Sequence, residues 1–174
     1  ISKNLKPGKN SREIGPVIDQ NSLDRITMYI DNTINFGSEI LVDGRKWSKE
    51  HQDGYWIGPT VILHNNLNDP CITDEIFGPV LSIYKVDTKE EAIEIEHNSI
   101  YGNAACVYTS SGNHANWFKK RLNSAMIGIN IGVPVPAIPF SFGGQNVSKF
   151  GNYDITGDGC IEFCTIRRKI TSKW

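Results

Sequence analysis

The chain has 174 residues, of which 39% are hydrophobic and 21% charged, and its formal net charge at pH 7 is -1. A chain of this size and composition can bury one hydrophobic core, so we expect a folded domain rather than a disordered segment. The near-neutral charge gives no indication of nucleic-acid binding, and the lack of a long apolar run gives none of membrane insertion. These features predict a soluble intracellular protein with no membrane and no nucleic acid as partner, and they leave open whether it is cytoplasmic or mitochondrial.

The first third of the chain predicts one helix and two short strands. Residues 1–20 are polar and irregular and start without Met, so we expect a piece of a longer protein. From the N-cap candidate Asn21, apolar residues recur at helical spacing up to the stop residue Gly37; they are Leu23, Ile26, Ile30 and Ile34. Strands are predicted over 39–42 and 60–63, with a surface excursion up to Gly54 and a loop over 65–70.

The middle of the chain alternates between predicted strands and predicted helices. A strand is predicted over 79–86, and the capping-box pair Thr88 and Glu91 then opens a helix that ends near Asn98. A strand over 103–108, a helix over 113–122 and a strand over 126–130 follow. This alternation predicts an α/β fold with a parallel-rich sheet and crossover helices.

The stretch from Asp74 to Val80 supplies the first site candidates. It places Glu75 and Phe77 in a loop directly before a strand, where Pro79 suits the first strand position. The alternative is that Glu75 is solvated and Phe77 is a core ring beneath a turn. The residue pattern leaves both interpretations open.

The four cysteines are predicted to be free thiols. Cys71, Cys106, Cys160 and Cys164 form no CxxC pair and no zinc-type spacing with histidine, so no metal site is expected. Cys106 lies in an apolar run that favours a small buried side chain. Cys71 lies beside the Glu75 loop, where a reactive thiol could take part in a site. It has no sequence neighbour, however, that would stabilise a thiolate.

The last part of the chain contains a loop rich in proline and phenylalanine and a β-prone end. Residues 132–144 cannot continue a sheet interior, and such a loop after a parallel strand lies where open α/β sheets bind ligands. A short helix is expected around 161–165. The final run, residues 166–174, alternates apolar and basic or hydroxyl residues, which is typical of an edge strand that pairs with another subunit.

Several of these motifs occur together in an order that resembles the C-terminal part of the aldehyde dehydrogenase superfamily. They are Gly58-Pro59-Thr60, Glu75-Ile76-Phe77-Gly78-Pro79-Val80, Tyr101-Gly102-Asn103-Ala104, Gly128-Ile129-Asn130 and Phe140-Ser141-Phe142-Gly143-Gly144. The loop Val133-Pro134-Val135-Pro136 and the ending Lys169-Ile170-Thr171-Ser172-Lys173-Trp174 look like the methylmalonate (malonate) semialdehyde dehydrogenase branch. The resemblance covers essentially the whole chain.

The resemblance implies an enzyme that oxidises an aldehyde with NAD, through a cysteine thioester whose acyl group passes to coenzyme A. Glu75 then looks like the carboxylate that binds the nicotinamide ribose hydroxyls, and Phe77 like the ring beside the nicotinamide. Phe142 looks like an aromatic wall of the aldehyde pocket. The partners implied are a small aldehyde, the N-terminal part of the same protein and further copies in a homo-oligomer.

The resemblance also implies that essential parts lie outside the chain. Residues 1–165 would be part of the catalytic domain and residues 166–174 an oligomerisation strand, while the Rossmann-type domain and the catalytic cysteine would precede Ile1. We therefore assign no catalytic residue within the chain and expect it to be inactive alone. Asn146, Asn152 and Cys164 depart from the residues usual in the family, namely a basic residue, Asp and Tyr.

Two other functions remain open at this point. The isolated chain could act only as a structural or oligomerising module without catalysis. Alternatively, Cys71 or Cys106 could catalyse an unrelated reaction. A cysteine motif encoded upstream of Ile1 would favour the dehydrogenase over both.

Overall fold

The structure is a computed structural model that describes residues 1–8, 13–51 and 53–174. It divides into two compact units, Ile1–Lys85 and Val86–Trp174, and each is described by itself. No described helix is both long enough and apolar enough to span a bilayer.

The first unit is a small mixed sheet with helices before and between its strands. Its strands pair in the order β1-β2-β3, with β1 and β2 antiparallel and β2 and β3 parallel. The helices are α1 (Gln20–Asn32), α2 (Lys46–Glu50) and α3 (Pro70–Thr73), with 3-10 turns at Ser2–Asn4 and Thr33–Phe36, and the strands are β1 (Glu39–Val42), β2 (Thr60–His64) and β3 (Val80–Tyr84).

The predicted amphipathic helix is present as α1, with changes at both ends. Its N-cap is Asp19, two residues before the predicted Asn21, and the Asp19 carboxylate accepts a hydrogen bond from the Ser22 amide. At the other end the chain tightens into a 3-10 turn that ends at Gly37 in the left-handed conformation. The tightening places Thr33 in the interior and leaves Ile34 58% exposed. The prediction that Ile34 continues the buried stripe was therefore wrong.

The core of the first unit lies between α1 and the sheet. It consists of the buried residues Leu23, Ile26, Ile30, Ile57, Ile62, Cys71 and Ile76. The helical spacing of the α1 members gives one continuous apolar face. The other side of the core is formed by Ile62 of β2 together with Cys71 of α3 and the loop residues Ile57 and Ile76. This core reaches directly beneath the loop between α3 and β3, because Ile76 belongs to it.

Two short helices lie where an irregular chain was predicted. Helix α2 lies within the predicted surface excursion, yet its Trp47 is only 7% exposed because the ring packs on Gly58, where a side chain would not fit. Part of that excursion, Gln52, lies outside the described residues. Helix α3 begins at the end of the predicted 65–70 loop, where Asp69 is the N-cap and Pro70 the first helical residue. The N-cap residue Asp69 and the following Pro70 were both visible in the sequence as helix-start signals.

The second unit contains a two-stranded parallel sheet and three helices. Strands β4 and β5 pair in register, with Ala104 opposite Met126. The elements are α4 (Lys89–Asn98), β4 (Ala104–Val107), α5 (Gly112–Lys119), β5 (Met126–Ile129) and α6 (Gly157–Cys164). The capping box of α4 is confirmed, since Thr88 accepts from the Glu91 amide and Glu91 accepts from the Thr88 amide.

The α/β class with parallel strand pairs and crossover helices is confirmed, but the strands are divided between two separate sheets. Strand β3 pairs with β2 in the first unit, while β4 and β5 form a sheet of their own. Residues 166–174 pair with no strand in the described parts of this chain, and Ile166, Ile170 and Trp174 are each more than four-fifths exposed. Their pairing with another subunit stays a prediction.

Candidate functional site

The candidate site is the loop of residues 74–79, which joins α3 to β3 in the first unit. Ile76 is 8% exposed and packs in the core, whereas the residues on either side of it, Glu75 and Phe77, are exposed. The buried residue thus anchors the loop and directs its two neighbours outwards. This result contradicts one of the two open interpretations, because Phe77 is 80% exposed and is no core ring.

The backbone of this loop is held in an unusual conformation. Phe77 has a φ of 56°, in the left-handed region that bulky residues rarely adopt. Gly78 follows it and crosses α1 so closely that a Cβ there would lie 2.5 Å from the Ile26 side chain. The Thr60 amide then donates to the carbonyl oxygen of Pro79 at 2.9 Å, which ties the loop to β2. Strained residues of this kind are concentrated at functional sites.

The other end of the loop is tied to α1. The Tyr29 hydroxyl donates to Oδ2 of Asp74 at 2.8 Å, and this hydrogen bond, together with burial and the carboxylate charge, raises the pKa of Tyr29. Asp74 directly precedes Glu75. The loop is therefore fixed on both sides of the two candidate residues.

Glu75 and Phe77 together offer two complementary kinds of contact. The Glu75 carboxylate has no hydrogen-bond partner among the described residues, so its oxygens can accept from a ligand. An ionised carboxylate accepts hydrogen bonds from a pair of hydroxyls, such as a ribose diol, in charge-assisted bonds. The exposed ring of Phe77 can cover a flat apolar group. The loop therefore fits a ligand that has a diol next to a planar ring.

The third predicted site residue, Phe142, belongs to the second unit. Its ring is half-buried, and its backbone is fixed because its amide donates to Oγ1 of Thr156 at 2.7 Å and its carbonyl accepts from the Ile155 amide at 3.1 Å. Gly143 follows with Asp154 so near that a Cβ would overlap its carboxylate. Contacts within the second unit thus fix the backbone around Phe142.

The residues that were expected to depart from the family pattern lie in the second unit as well. Asn146, at the position where the resemblance implies a basic residue, adopts a left-handed φ of 53° and bridges to Tyr101. Asparagine tolerates this conformation better than most residues. Cys164, at the position where the resemblance implies Tyr, is the exposed last residue of α6.

All four cysteines are free, as predicted. Burial raises the pKa of Cys71 to about 11, and the negative charge of Asp69 adds to this effect. Its thiol contacts the Tyr29 carbonyl oxygen at 3.3 Å, which is an inert packing arrangement. Cys106 contacts the carbonyl oxygen of Gly132. Neither thiol has a histidine or lysine partner among the described residues, so nothing described here activates Cys71 or Cys106.

Sequence reasoning missed three features that shape the site. The left-handed backbone of Phe77 has no signature in a sequence. The bond between Tyr29 and Asp74 joins residues 45 positions apart. The N-cap role of Asp69 was readable from Asp69-Pro70, a typical helix start.

The comparison with known families gives one match over nearly the whole chain. The aldehyde dehydrogenase family model matches residues 2–169. Among curated proteins, malonate-semialdehyde dehydrogenase 1 of Oceanobacillus iheyensis is 38% identical over 99% of this chain and 36% of its own length. The chain therefore spans about a third of the length of the curated relatives it matches.

Solved structures agree with the sequence comparison. The crystal structure of methylmalonate-semialdehyde dehydrogenase from Oceanimonas doudoroffii matches with a TM-score of 0.93 at 33% identity, over 99% of this chain and 36% of that one. A structure from Sinorhizobium meliloti 1021, assigned to a methylmalonate-semialdehyde dehydrogenase and complexed with NAD, matches with the same TM-score and coverage at 34% identity.

Proposed function

The chain belongs to the aldehyde dehydrogenase family, and from that premise we propose that the complete protein oxidises malonate or methylmalonate semialdehyde with NAD. The observation that carries the proposal is the Glu75 loop, in which a buried Ile76 holds an exposed carboxylate and an exposed ring side by side. The names of the similar proteins support the substrate class, and the NAD in one similar structure supports the cofactor.

In this proposal Glu75 and Phe77 form part of the cofactor site. The Glu75 carboxylate accepts hydrogen bonds from the hydroxyls of the nicotinamide ribose, and the Phe77 ring packs near the nicotinamide. When bound, NAD supplies the hydride acceptor. The role of the chain's own residues is to orient that acceptor, because the fixed backbone of residues 74–79 leaves the two side chains little freedom. Phe142 contributes an aromatic wall to the aldehyde pocket.

The nucleophile is proposed to lie outside residues 1–174. A catalytic cysteine needs a lowered pKa or an adjacent base, whereas burial raises the pKa of Cys71. The Cys164 thiol has its pKa raised by the charge of Cys160 one helical turn away. In the complete protein, the acyl group would leave its cysteine thioester when the coenzyme A thiol attacks the carbonyl carbon.

Substitution of Glu75 tests the cofactor site. In the complete protein, Glu75→Gln should raise the KM for NAD about tenfold, because an amide accepts weaker hydrogen bonds from the ribose than a carboxylate does. Glu94→Gln is a matched control, since Glu94 is an exposed carboxylate on α4. Steady-state kinetics with malonate semialdehyde would measure both. An unchanged KM for NAD in Glu75→Gln would remove Glu75 from the site.

The alternative is that residues 1–174 act only as a structural module. The chain alone is expected to be inactive under both proposals, because neither assigns it a nucleophile. Enzyme-dependent NADH production from malonate semialdehyde by the purified 174-residue chain would contradict both. A complete protein that binds no NAD would favour the structural module.

We also propose that residues 166–174 form an edge strand with another copy of the protein. The segment is exposed and unpaired in the described chain, and burying Trp174 would contribute about 2 kcal/mol per copy. Deleting residues 167–174 from the complete protein should give smaller species in analytical ultracentrifugation. An unchanged oligomer mass after the deletion would contradict this proposal.

A further inference from the structure

A cluster of four polar side chains lies in the interior of the first unit, close to the start of α3. It consists of Thr33, Ser38, His64 and Asp69, and is called the Asp69 cluster below. Thr33, His64 and Asp69 are at most 2% exposed, and Ser38 is half-buried. Polar groups in a core are costly unless they are hydrogen-bonded to one another. Their presence in so small a core therefore calls for a role.

Asp69 is the acceptor at the centre of this cluster. Its Oδ2 accepts from the Thr33 hydroxyl, from the Ser38 hydroxyl at 2.9 Å and from Nδ1 of His64 at 2.9 Å. Its Oδ1 accepts from the Cys71 amide at 2.9 Å, which caps helix α3. One carboxylate thus joins the end of α1, the start of β1, the end of β2 and the start of α3.

The charge of Asp69 is preserved despite its burial. Desolvation acts to raise the pKa of Asp69, but the hydrogen bonds from Thr33, the Cys71 amide, Ser38 and His64 outweigh it and leave the pKa below its usual value. Hydrogen bonds to an ionised acceptor are stronger than those between neutral groups. The four elements are therefore fastened by charge-assisted bonds.

The cluster is no hydrolytic triad, although it contains Ser, His and Asp. In a nucleophilic triad the carboxylate and the hydroxyl contact opposite nitrogens of the imidazole. Here both Asp69 and Ser38, the latter at 3.1 Å, contact Nδ1 of His64, and the Nε2 atom is buried without a partner in the described structure. The arrangement cannot move a proton from Ser38 through the ring.

The position of the cluster along the chain connects it to the Glu75 loop. Asp69 caps α3, α3 ends at Thr73, and the next two residues are Asp74, bound by Tyr29, and Glu75. The segment from Asp69 to Asp74 is thus fastened at its beginning by the cluster and at its end by α1. A shift of α3 would move the backbone that carries Glu75.

We infer that Asp69 is a positioning residue for Glu75, and through it for the ribose of the dinucleotide. The inference rests on the proposed function, in which Glu75 binds the cofactor. Asp69 touches no ligand in this scheme; it holds α3 so that the Glu75 carboxylate lies where the ribose hydroxyls arrive. Thr33, Ser38 and His64 act only by holding Asp69.

A double-mutant cycle on the complete protein tests the inference. Asp69→Asn should weaken NAD binding, measured by calorimetric titration, about tenfold in the parent protein, and by less than about twofold in a Glu75→Gln background. The effect shrinks because Asp69 acts through the carboxylate that the second substitution removes. Thr33→Val, which removes one donor to Asp69, provides a milder variant in case Asp69→Asn does not fold, and it should show the same pattern at about threefold.

The control separates positioning from a general loss of stability. Ile57→Val removes one methylene from a side chain that is 1% exposed in the same core but belongs to no part of the cluster. It should lower the thermal midpoint and leave NAD affinity unchanged. Equal losses of affinity for Ile57→Val and Thr33→Val, or equal Asp69→Asn effects in both backgrounds, would overturn the inference.

The outcomes also separate this inference from the proposed function. If Glu75→Gln weakens NAD binding but the Asp69→Asn effect is additive to it, only the positioning role is wrong. If Glu75→Gln leaves NAD binding unchanged, the proposed cofactor site is wrong and the positioning role fails with it.

Discussion

The two units of the chain differ sharply in how much apolar surface they bury. Among the described residues, the first unit contains ten nearly completely buried hydrophobic side chains, whereas the second contains two, Ile93 and Met126. The second unit instead leaves many large apolar side chains exposed, among them Ile138, Phe140, Phe150 and Trp174. The first unit therefore has a core of its own.

The second unit is held largely by caps, backbone bonds and polar contacts. Glu96 accepts from the amides of Asn123 and Ser124, and the guanidinium of Arg121 lies 4.4 Å from the centre of the Trp117 ring. Such contacts fix local geometry, but they contribute less than burial of large side chains. The loop of residues 74–79 therefore lies on the unit that has its own buried core.

Thiol reactivity should show the largest difference between the units. In the native complete protein at pH 8, Cys71 should react with a disulfide reagent at least about a thousandfold more slowly than Cys164, because burial raises the pKa of Cys71 to about 11 and blocks access. Cys164→Ser should lower the number of fast-reacting thiols by one, and Cys71→Ser should leave that number unchanged. Equal rates for Cys71 and Cys164 before unfolding would show that the first unit is not closed around Cys71.

Substitutions to Ala should destabilise the first unit more than the second. Ile62→Ala, at a position with no exposure in the first unit, should lower the free energy of unfolding by about 3 kcal/mol, through lost burial and the cavity left behind. Ile161→Ala, at a 62% exposed position on α6, should change it by less than about 0.5 kcal/mol. Urea unfolding of the complete protein would measure both. Comparable losses would mean that α6 is buried in the assembled protein.

The stability of the first unit should also depend on pH through Asp69. Its pKa is lowered in the folded state, so it stabilises the fold above its ordinary pKa near 3.8, and this contribution is lost as the pH falls through the folded pKa. Asp69→Asn should therefore cost about 2 kcal/mol at pH 7, and the gap from the parent protein should narrow below about pH 4. Urea unfolding at several pH values would measure this. A gap that is constant from pH 7 to pH 3 would contradict an ionised buried Asp69.

Loss of a helix cap in the second unit should destabilise the protein less than the Ile62 and Asp69 substitutions do. Thr88→Ala removes the side chain that accepts from the Glu91 amide, and it should lower stability by about 1 kcal/mol. Thr88→Ser keeps the hydroxyl and should restore most of the loss. If Ser and Ala cost the same at this position, the capping box does not stabilise α4.

The α/β class and most of the regular elements could be predicted from local sequence patterns. The helical spacing of Leu23, Ile26 and Ile30 predicted α1, and the Thr88 and Glu91 pair predicted α4, because these signals lie within a few residues of each other. The motif around Glu75 pointed to the family and to the loop. The exposure of the Glu75 carboxylate could be expected without tertiary information, because its charge and the following Gly78-Pro79 pair were both visible in the sequence.

The contacts that hold the loop of residues 74–79 depend on long-range packing and could not be predicted from the sequence. The left-handed φ of Phe77 depends on how closely Gly78 approaches Ile26, and the bonds of Tyr29 to Asp74 and of Thr33 to Asp69 span 45 and 36 positions. The sorting of the strands into two sheets also depends on pairing between distant segments. A local sequence pattern indicates which side chains prefer to be buried. It does not indicate which distant backbone group or carboxylate they contact, because those contacts depend on packing across the whole core.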